Sequence, residues 1–187
     1  DFRGIRDRYM RTRGLDYFEN SRRAALAQYA YAEANPMGWR GYGDGVWGLT
    51  ASDGPVHAVL EYEGEQRQFR SYVARGIGYP PSHSELGASY DDGTIAPTAA
   101  VSSIVFTPEL SIQGIRELRA RYGKHIYSDY GFLDAFNPSF DFEIELTHGR
   151  VIPGFGWVAD DYLGIDQGPI LLMIENYRSG FVWDVMR

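Results

Sequence analysis

The sequence predicts a mainly α-helical chain with short β-hairpins set between its helices. Three observations carry this reading. Helical periods with start and stop signals occupy residues 3–35, 97–122 and the stretch from Pro169 onward. Only two short stretches, 57–73 and 142–151, alternate in the manner of strands. Long runs of glycine, aromatic residues and acids join the helices, and no strand-helix alternation of the doubly wound kind is present.

Taken in order, residues 3–35 read as two helices. Ile5, Tyr9 and Met10 set the period of the first, and Gly14 weakens its continuation. Asn20 or Ser21 is expected to cap a second helix over 21–34, which Asn35-Pro36 ends, because proline disfavours helical geometry in the residue before it. Residues 36–55, PMGWRGYGDGVWGLTASDGP, are too glycine-rich for a helix, and display Trp39, Tyr42 and Trp47 around Asp44 and Asp53. They read either as a loop lining a binding cleft or as a buried loop whose aromatics fill the core.

A hairpin is expected next, with His57 to Tyr62 leading out, a turn at Glu63-Gly64-Glu65, and Phe69, Tyr72 and Val73 returning. Residues 79–90 read as a surface loop. Pro97 suits the first turn of a helix that ends near Ile104 and Val105. Thr107-Pro108-Glu109 opens the clearest helix, with Thr as N-cap, Ser111, Ile115, Leu118 and Tyr122 on one stripe, and Gly123 as its end. YGFLDAFNP (130–138) is a second glycine and aromatic segment around one acid. A second hairpin is expected over 142–151, turning near His148-Gly149. The last helix starts at Pro169 and, apolar on nearly all sides, is expected to be buried.

Composition narrows the function. The chain has 187 residues with 44% hydrophobic content, enough for a domain that buries roughly two-thirds of its unfolded surface. No stretch approaches the roughly 18 apolar residues of a membrane span. The absence of cysteine removes disulfides, thiol nucleophiles and thiolate metal sites, and is compatible with the periplasm or the exterior as well as the cytosol. With 25 acids against 18 bases the net charge is -7, which disfavours nucleic acid. Fourteen tyrosines and four tryptophans beside many carboxylates suit sugar binding, and equally an ordinary aromatic core.

The four histidines, at 57, 83, 125 and 148, have no partners at metal-ligand spacing, and no nucleophile elbow or phosphate loop is present. Asp91-Asp92-Gly93 lacks the ligands of a calcium loop and reads as a helix cap. Glu175 and Arg178, one turn apart, permit an ion pair, and with Asn176 read as a structural polar cluster. Carboxylates in the glycine and aromatic segments therefore remain as candidates for chemistry: Asp44, Asp53, Asp134, Asp161 and Asp166.

Four segments, GWRGYGDGVWGLTASDGP (38–55), DDGTIAPTAAVSSIVFTPE (91–109), YGFLDAFNP (130–138) and DDYLGIDQGPILLMIENYRSG (160–180), resemble in order the glycoamylase-like family of bacterial proteins that includes endo-β-1,2-glucanases. DYFENSRRAALAQYAYA (16–32) is similar to that family's lead-in. The resemblance implies an (α/α) six-fold toroid of which residues 1–187 are a single domain and about the C-terminal half. It implies inverting hydrolysis of β-linked glucan, with no metal or cofactor and with export to the periplasm or beyond. Carried over by motif, Asp134 is the candidate base and Asp53 an auxiliary or substrate-binding acid. Trp39, Tyr42 and Trp47 are candidate sugar platforms, and Tyr162, Asp166 and Gln167 face the cleft. Asp166, three residues before Pro169, also reads as a cap. The general acid is expected to be a Glu upstream of this chain, in the other half of the toroid. A non-catalytic glucan-binding module and a transglycosylase domain of a cyclic-glucan-processing enzyme are the alternative readings.

Overall fold

A computed structural model of the chain describes residues 3–77 and 91–186. The surface loop expected over 79–90, with His83, lies outside the described residues. The architecture is helix-rich with short sheets. Helices α1 (Arg8–Arg13) and α2 (Tyr17–Ala34) lead into the glycine and aromatic segment. Strands β1 (Ala51–Asp53), β2 (Ala58–Tyr62), β3 (Glu65–Phe69) and β4 (Tyr72–Ala74) follow. Next among the described residues come α3 (Pro97–Ser102) with a 3₁₀ turn to Val105, α4 (Pro108–Glu117), a π-helical turn over 118–122, and α5 (Gly123–Ile126). Five short strands, β5 (Tyr127–Ser128), β6 (Gly131–Phe132), β7 (Phe136–Asn137), β8 (Arg150–Ile152) and β9 (Gly156–Val158), precede α6 (Gly164–Ser179) and α7 (Phe181–Met186).

Several expected boundaries move for identifiable reasons. The second helix starts four residues early, because Asp16 rather than Asn20 or Ser21 caps it: its Oδ1 accepts the Glu19 N–H at 2.8 Å. The first helix starts only at Arg8, so Ile5 lies ahead of it; Met10 is buried, while Ile5 and Tyr9 are exposed. The helix over 107–122 does not stop at Gly123, which keeps helical torsions and carries the chain on to Ile126. Thr107 occupies the expected cap position, but its hydroxyl bonds the Ser103 carbonyl instead of a following N–H.

The strands are corrected too. Glu63 and Gly64, both with positive φ, turn β2 into β3 as expected. Tyr72 and Val73, however, leave that hairpin and pair with β1, a strand inside the expected loop over 36–55: Asp53 faces Tyr72 and Ser52 faces Val73. The hairpin expected over 142–151 lies further on, at 150–158, where β9 sits between β7 and β8.

The final helix departs most. It starts at Gly164, with Pro169 inside it, and buries only Asp166, Ile170 and Asn176. Ile165, Leu171 and Leu172 are exposed, as are Phe181, Val185 and Met186 of α7. The Glu175–Arg178 ion pair forms at 3.4 Å on the surface, and Asn176 Oδ1 accepts the Trp183 N–H, docking α7 onto α6.

The core is aromatic. Trp39 packs on Tyr62 and Phe69, brought to it by the β2–β3 hairpin, and Phe69 packs on Phe140 and Phe142, with ring centroids 5.0–5.8 Å apart. Gly93 (φ +80°) lies flat against the Trp39 ring, where a Cβ would approach to 2.9 Å.

A buried polar network pins these parts together. The Arg75 guanidinium forks onto both oxygens of Asp92 at 2.8 and 2.9 Å, and also donates to the Ser52 carbonyl and hydroxyl. The side chains are 1% and 4% exposed, so each charge depends on the other. Asp91 accepts the hydroxyls of Tyr31 and Tyr42 at 2.6 and 2.7 Å. The Asp91-Asp92 pair is thus no helix cap: α3 has Ala96 at that position, with no side-chain cap.

Removing the guanidinium strands a buried carboxylate, at a cost of about 3–5 kcal/mol. Thermal unfolding of Arg75→Met is expected to give a Tm lower by roughly 10 °C. A Tm within about 2 °C of the parent would show that the pair does not hold the fold.

Candidate active site

Three loop or helix-end carboxylates that are far apart in sequence meet in one cleft. It has a volume of about 280 Å³ and is lined by Asp53, Asp134 and Asp166 together with Tyr72, Thr98 and Ile165. Each acid has its own local reason to be there.

Asp53 ends β1, a three-residue strand held by β4 and by the Arg75 bonds to Ser52. Asp134 lies in a strip threaded through the core, where residues 132–140 are all buried. Main-chain bonds fix it on both sides: Leu133 N–H to Ile126 O, Asp134 N–H to Asp161 O, and Ala159 N–H to Ala135 O, at 2.9–3.0 Å. Asp166 is in the first turn of α6, whose Leu163 cap makes no side-chain bond. Its carbonyl accepts the Thr98 hydroxyl, tying α6 to α3. Asp166 is therefore not spent as a cap, and its carboxyl turns to Asp134.

The electrostatics follow from that crowding. Burial pushes the Asp134 carboxyl up to about 7, against the pull of the Asp53 N–H, which reaches its Oδ2 at 2.7 Å, and the negative charges of Asp166 and Asp53 act in the same upward direction. Burial likewise raises Asp166, and its hydrogen bond with Asp134 partly offsets this. The two behave as a dyad that shares a proton, as close carboxyls do. Asp166 Oδ2 is buried without a hydrogen-bond partner among the described residues. Such a dyad has one proton to give and one ionised oxygen to accept another.

The other sequence-predicted residues divide. Trp39, Tyr42 and Trp47 are 1%, 7% and 0% exposed, so the expectation that they are sugar platforms is corrected: a stacking platform needs an open face. Trp39 is enclosed by Tyr62 and Phe69, Tyr42 is bonded to Asp91, and Trp47 stands edge-on to Tyr29. Gln167 faces an adjoining groove rather than the carboxylate cleft, and its amide donates to the Phe132 carbonyl at 2.7 Å. Tyr162 is exposed and pairs with Tyr130. Asp44, 4.0 Å from Arg121, is on the surface, and the exposed Asp161 contributes its carbonyl to the Asp134 N–H.

Sequence reasoning missed Tyr72, Thr98 and Arg75. Thr98 carried a signal, since it follows Pro97 in a first turn, whereas Arg75 is one arginine among seventeen. Among the described residues, no group of three His, Cys, Asp or Glu side chains is arranged to hold a metal ion.

The family model described as "Putative glucoamylase" matches residues 1–187. The chain is 32% identical over 170 residues to the exo β-1,2-glucooligosaccharide sophorohydrolase (non-reducing end) of Parabacteroides distasonis, covering 91% of this chain and 18% of that protein. It is similar to the endo-β-1,2-glucanase from Chitinophaga pinensis in its sophorotriose and glucose complex, with TM-score 0.67, 34% identity, and coverage of 96% of this chain and 32% of that one. The β-1,2-glucanase structure from Parabacteroides distasonis gives TM-score 0.66 and 31% identity, over 91% of this chain and 19% of that one. The chain spans about a fifth to a third of the length of these relatives.

The dyad has a pH signature. An unfolded aspartate titrates near pH 3.9. Asp134 titrates at about 7 when folded, so between these values the folded state holds more protons and stability falls as pH rises through that window. Asp91, raised to about 6, adds a fall of the same sign in the wild type and in Asp134→Asn alike. Thermal melts from pH 4 to 8 are expected to show a shallower decline in Asp134→Asn than in the parent. Parallel declines would contradict the shared proton.

Proposed function

The chain belongs to the glycoamylase family described as "Putative glucoamylase", and we propose that it supplies the base side of an inverting hydrolase cleft for β-linked glucan, β-1,2-glucan in particular. The observation that carries this reading is the meeting of Asp53, Asp134 and Asp166 in one cleft. The relatives named for β-1,2-glucan and its oligosaccharides support the substrate.

Inverting hydrolysis needs an acid and a base on opposite faces of the sugar, about 6.5–9.5 Å apart, with water beside the base. Asp134 and Asp166 are in hydrogen-bond contact, too close to flank a glycosidic bond. They therefore act together on one face. In this reading Asp134 passes the shared proton to the ionised Asp166 as it takes the proton of the attacking water, so that both carboxyls are protonated until one proton returns to solvent. Asp53 fixes Asp134 through its N–H and offers its carboxylate to sugar hydroxyls. The general acid then comes from another part of the protein.

The exposed apolar faces of α6 and α7 fit that arrangement. Leu171 and Leu172, with Phe181, Val185 and Met186, are uncovered apolar side chains on which the remaining helices of an (α/α) toroid would pack. The reading extends to a periplasmic or secreted protein, as the family resemblance implies.

In the full-length protein, Asp134→Asn is expected to lower release of reducing ends from β-1,2-glucan at least about 10³-fold, comparable to the 10²–10⁴ assigned to general acid-base groups. Oligosaccharide binding, measured by calorimetry, is expected to change no more than a few-fold. Unchanged turnover would remove Asp134 from the mechanism.

A further inference from the structure

With the three predicted platforms buried, the cleft needs another aromatic face if it is to hold a pyranose ring, and Tyr72 is in the right place. It is 63% exposed, and it lines the same cleft as the three carboxylates. It is also the residue opposite Asp53 in the β1–β4 ladder, and cross-strand partners project their side chains to the same side of the sheet. The phenol ring and the Asp53 carboxylate are therefore neighbours on one wall.

That wall is rigid for reasons that have nothing to do with Tyr72 itself. Ser52 and Val73 form the next pair, and the Arg75 bonds to the Ser52 carbonyl, the Ser52 hydroxyl, the Arg70 carbonyl and Asp92 hold both strands. Gly54 N–H closes the ladder on the Ser71 carbonyl at 2.6 Å. An exposed aromatic ring on so short a strand gains little from folding, since most of its face stays in water. The same cleft is lined by Ala99, Leu163, Ile165 and Pro169, which offer aliphatic surface. A flat ring, aliphatic groups and carboxylates lining one cleft match a saturated sugar, whose ring presents C–H groups on its faces and hydroxyls at its rim.

We infer that Tyr72 is the stacking platform of the cleft and forms, with Asp53, one recognition unit for a glucosyl ring beside the reacting bond. The ring stacks on a C–H face of the sugar, and Asp53 accepts from the hydroxyls at its edge. This rests on the functional reading above for the identity of the sugar, and extends it to a residue that the family motifs quoted above do not contain.

The test uses the full-length protein with β-1,2-linked glucotriose as probe. Tyr72→Ala is expected to raise KM and the calorimetric Kd about tenfold, corresponding to the roughly 1.4 kcal/mol of a tenfold change. It is expected to leave Tm unchanged, and Tyr72→Phe and Tyr72→Trp stay within about twofold of the parent, since a face suffices. A Kd for Tyr72→Ala within about twofold of the parent overturns the inference, as does a Phe variant as weak as Ala. Binding that is weakened by Tyr72→Ala in a parent without turnover supports Tyr72 while refuting hydrolysis. A parent that does not bind the trisaccharide overturns both.

Discussion

Two consecutive buried aspartates organise this protein. Asp92 neutralises Arg75 at the end of β4, accepts the Arg70 N–H, and leaves its carbonyl to Asn137 Nδ2. Asp91 accepts the hydroxyls of Tyr31 from α2 and Tyr42 from the glycine-rich segment. Four stretches separated by up to about a hundred residues thus converge on one dipeptide. Burying two adjacent carboxylates is costly unless each finds partners, so the arrangement is close to all or none. Any segment that drifts leaves a charge or a carboxyl without compensation.

The cleft inherits its geometry from this network. One wall, β1 with β4, is fixed by Arg75 to Ser52. The base, residues 132–140, is fixed by Asn137 on the Asp92 carbonyl and the Thr94 hydroxyl, and by the main-chain exchange between Ile95 and Phe136. Gly48 (φ +149°) brings its segment onto the start of α3, where its carbonyl accepts the Ala96 N–H, and a Cβ would collide with the Ala96 carbonyl. Thr98, two residues on, then reaches α6. A rigid frame of this kind can force like charges together. Asp134 and Asp166 could relax apart on a mobile loop, but here both backbones are pinned, and the cost appears as retained protons instead.

Much of this was legible in the sequence. The helices after Pro97 and Pro108 and the Glu63-Gly64 turn follow from local backbone chemistry, which the sequence states directly. Asp134, Asp53 and Asp166 stood out because an acid among glycines and aromatics is neither a solvated surface charge nor a core residue. What the sequence hid was long-range. Whether Trp39 faces a sugar or Phe69 depends on where a hairpin twenty residues away folds back, and glycine-rich spacing is the same in both cases. The pairing of β1 with β4 was invisible because three residues carry no periodicity. The last helix looked buried because ILLMI is apolar on all sides, yet hydrophobicity states a preference for cover and not where the cover is. Asp91-Asp92 read as a cap because its true partners, an arginine and two tyrosines, belong to types that are common throughout the chain.

The pinned frame makes Asp134 and Asp166 share a proton at neutral pH. Carboxyl-carbon NMR of aspartate-labelled protein, titrated from pH 3 to 9, addresses it residue by residue, with Asp166→Asn as the control. The Asp134 carbon is expected to hold its protonated shift until about pH 7, and this midpoint to fall when Asp166 is neutral. A midpoint in the ordinary aspartate range near pH 4, unmoved by Asp166→Asn, would contradict it.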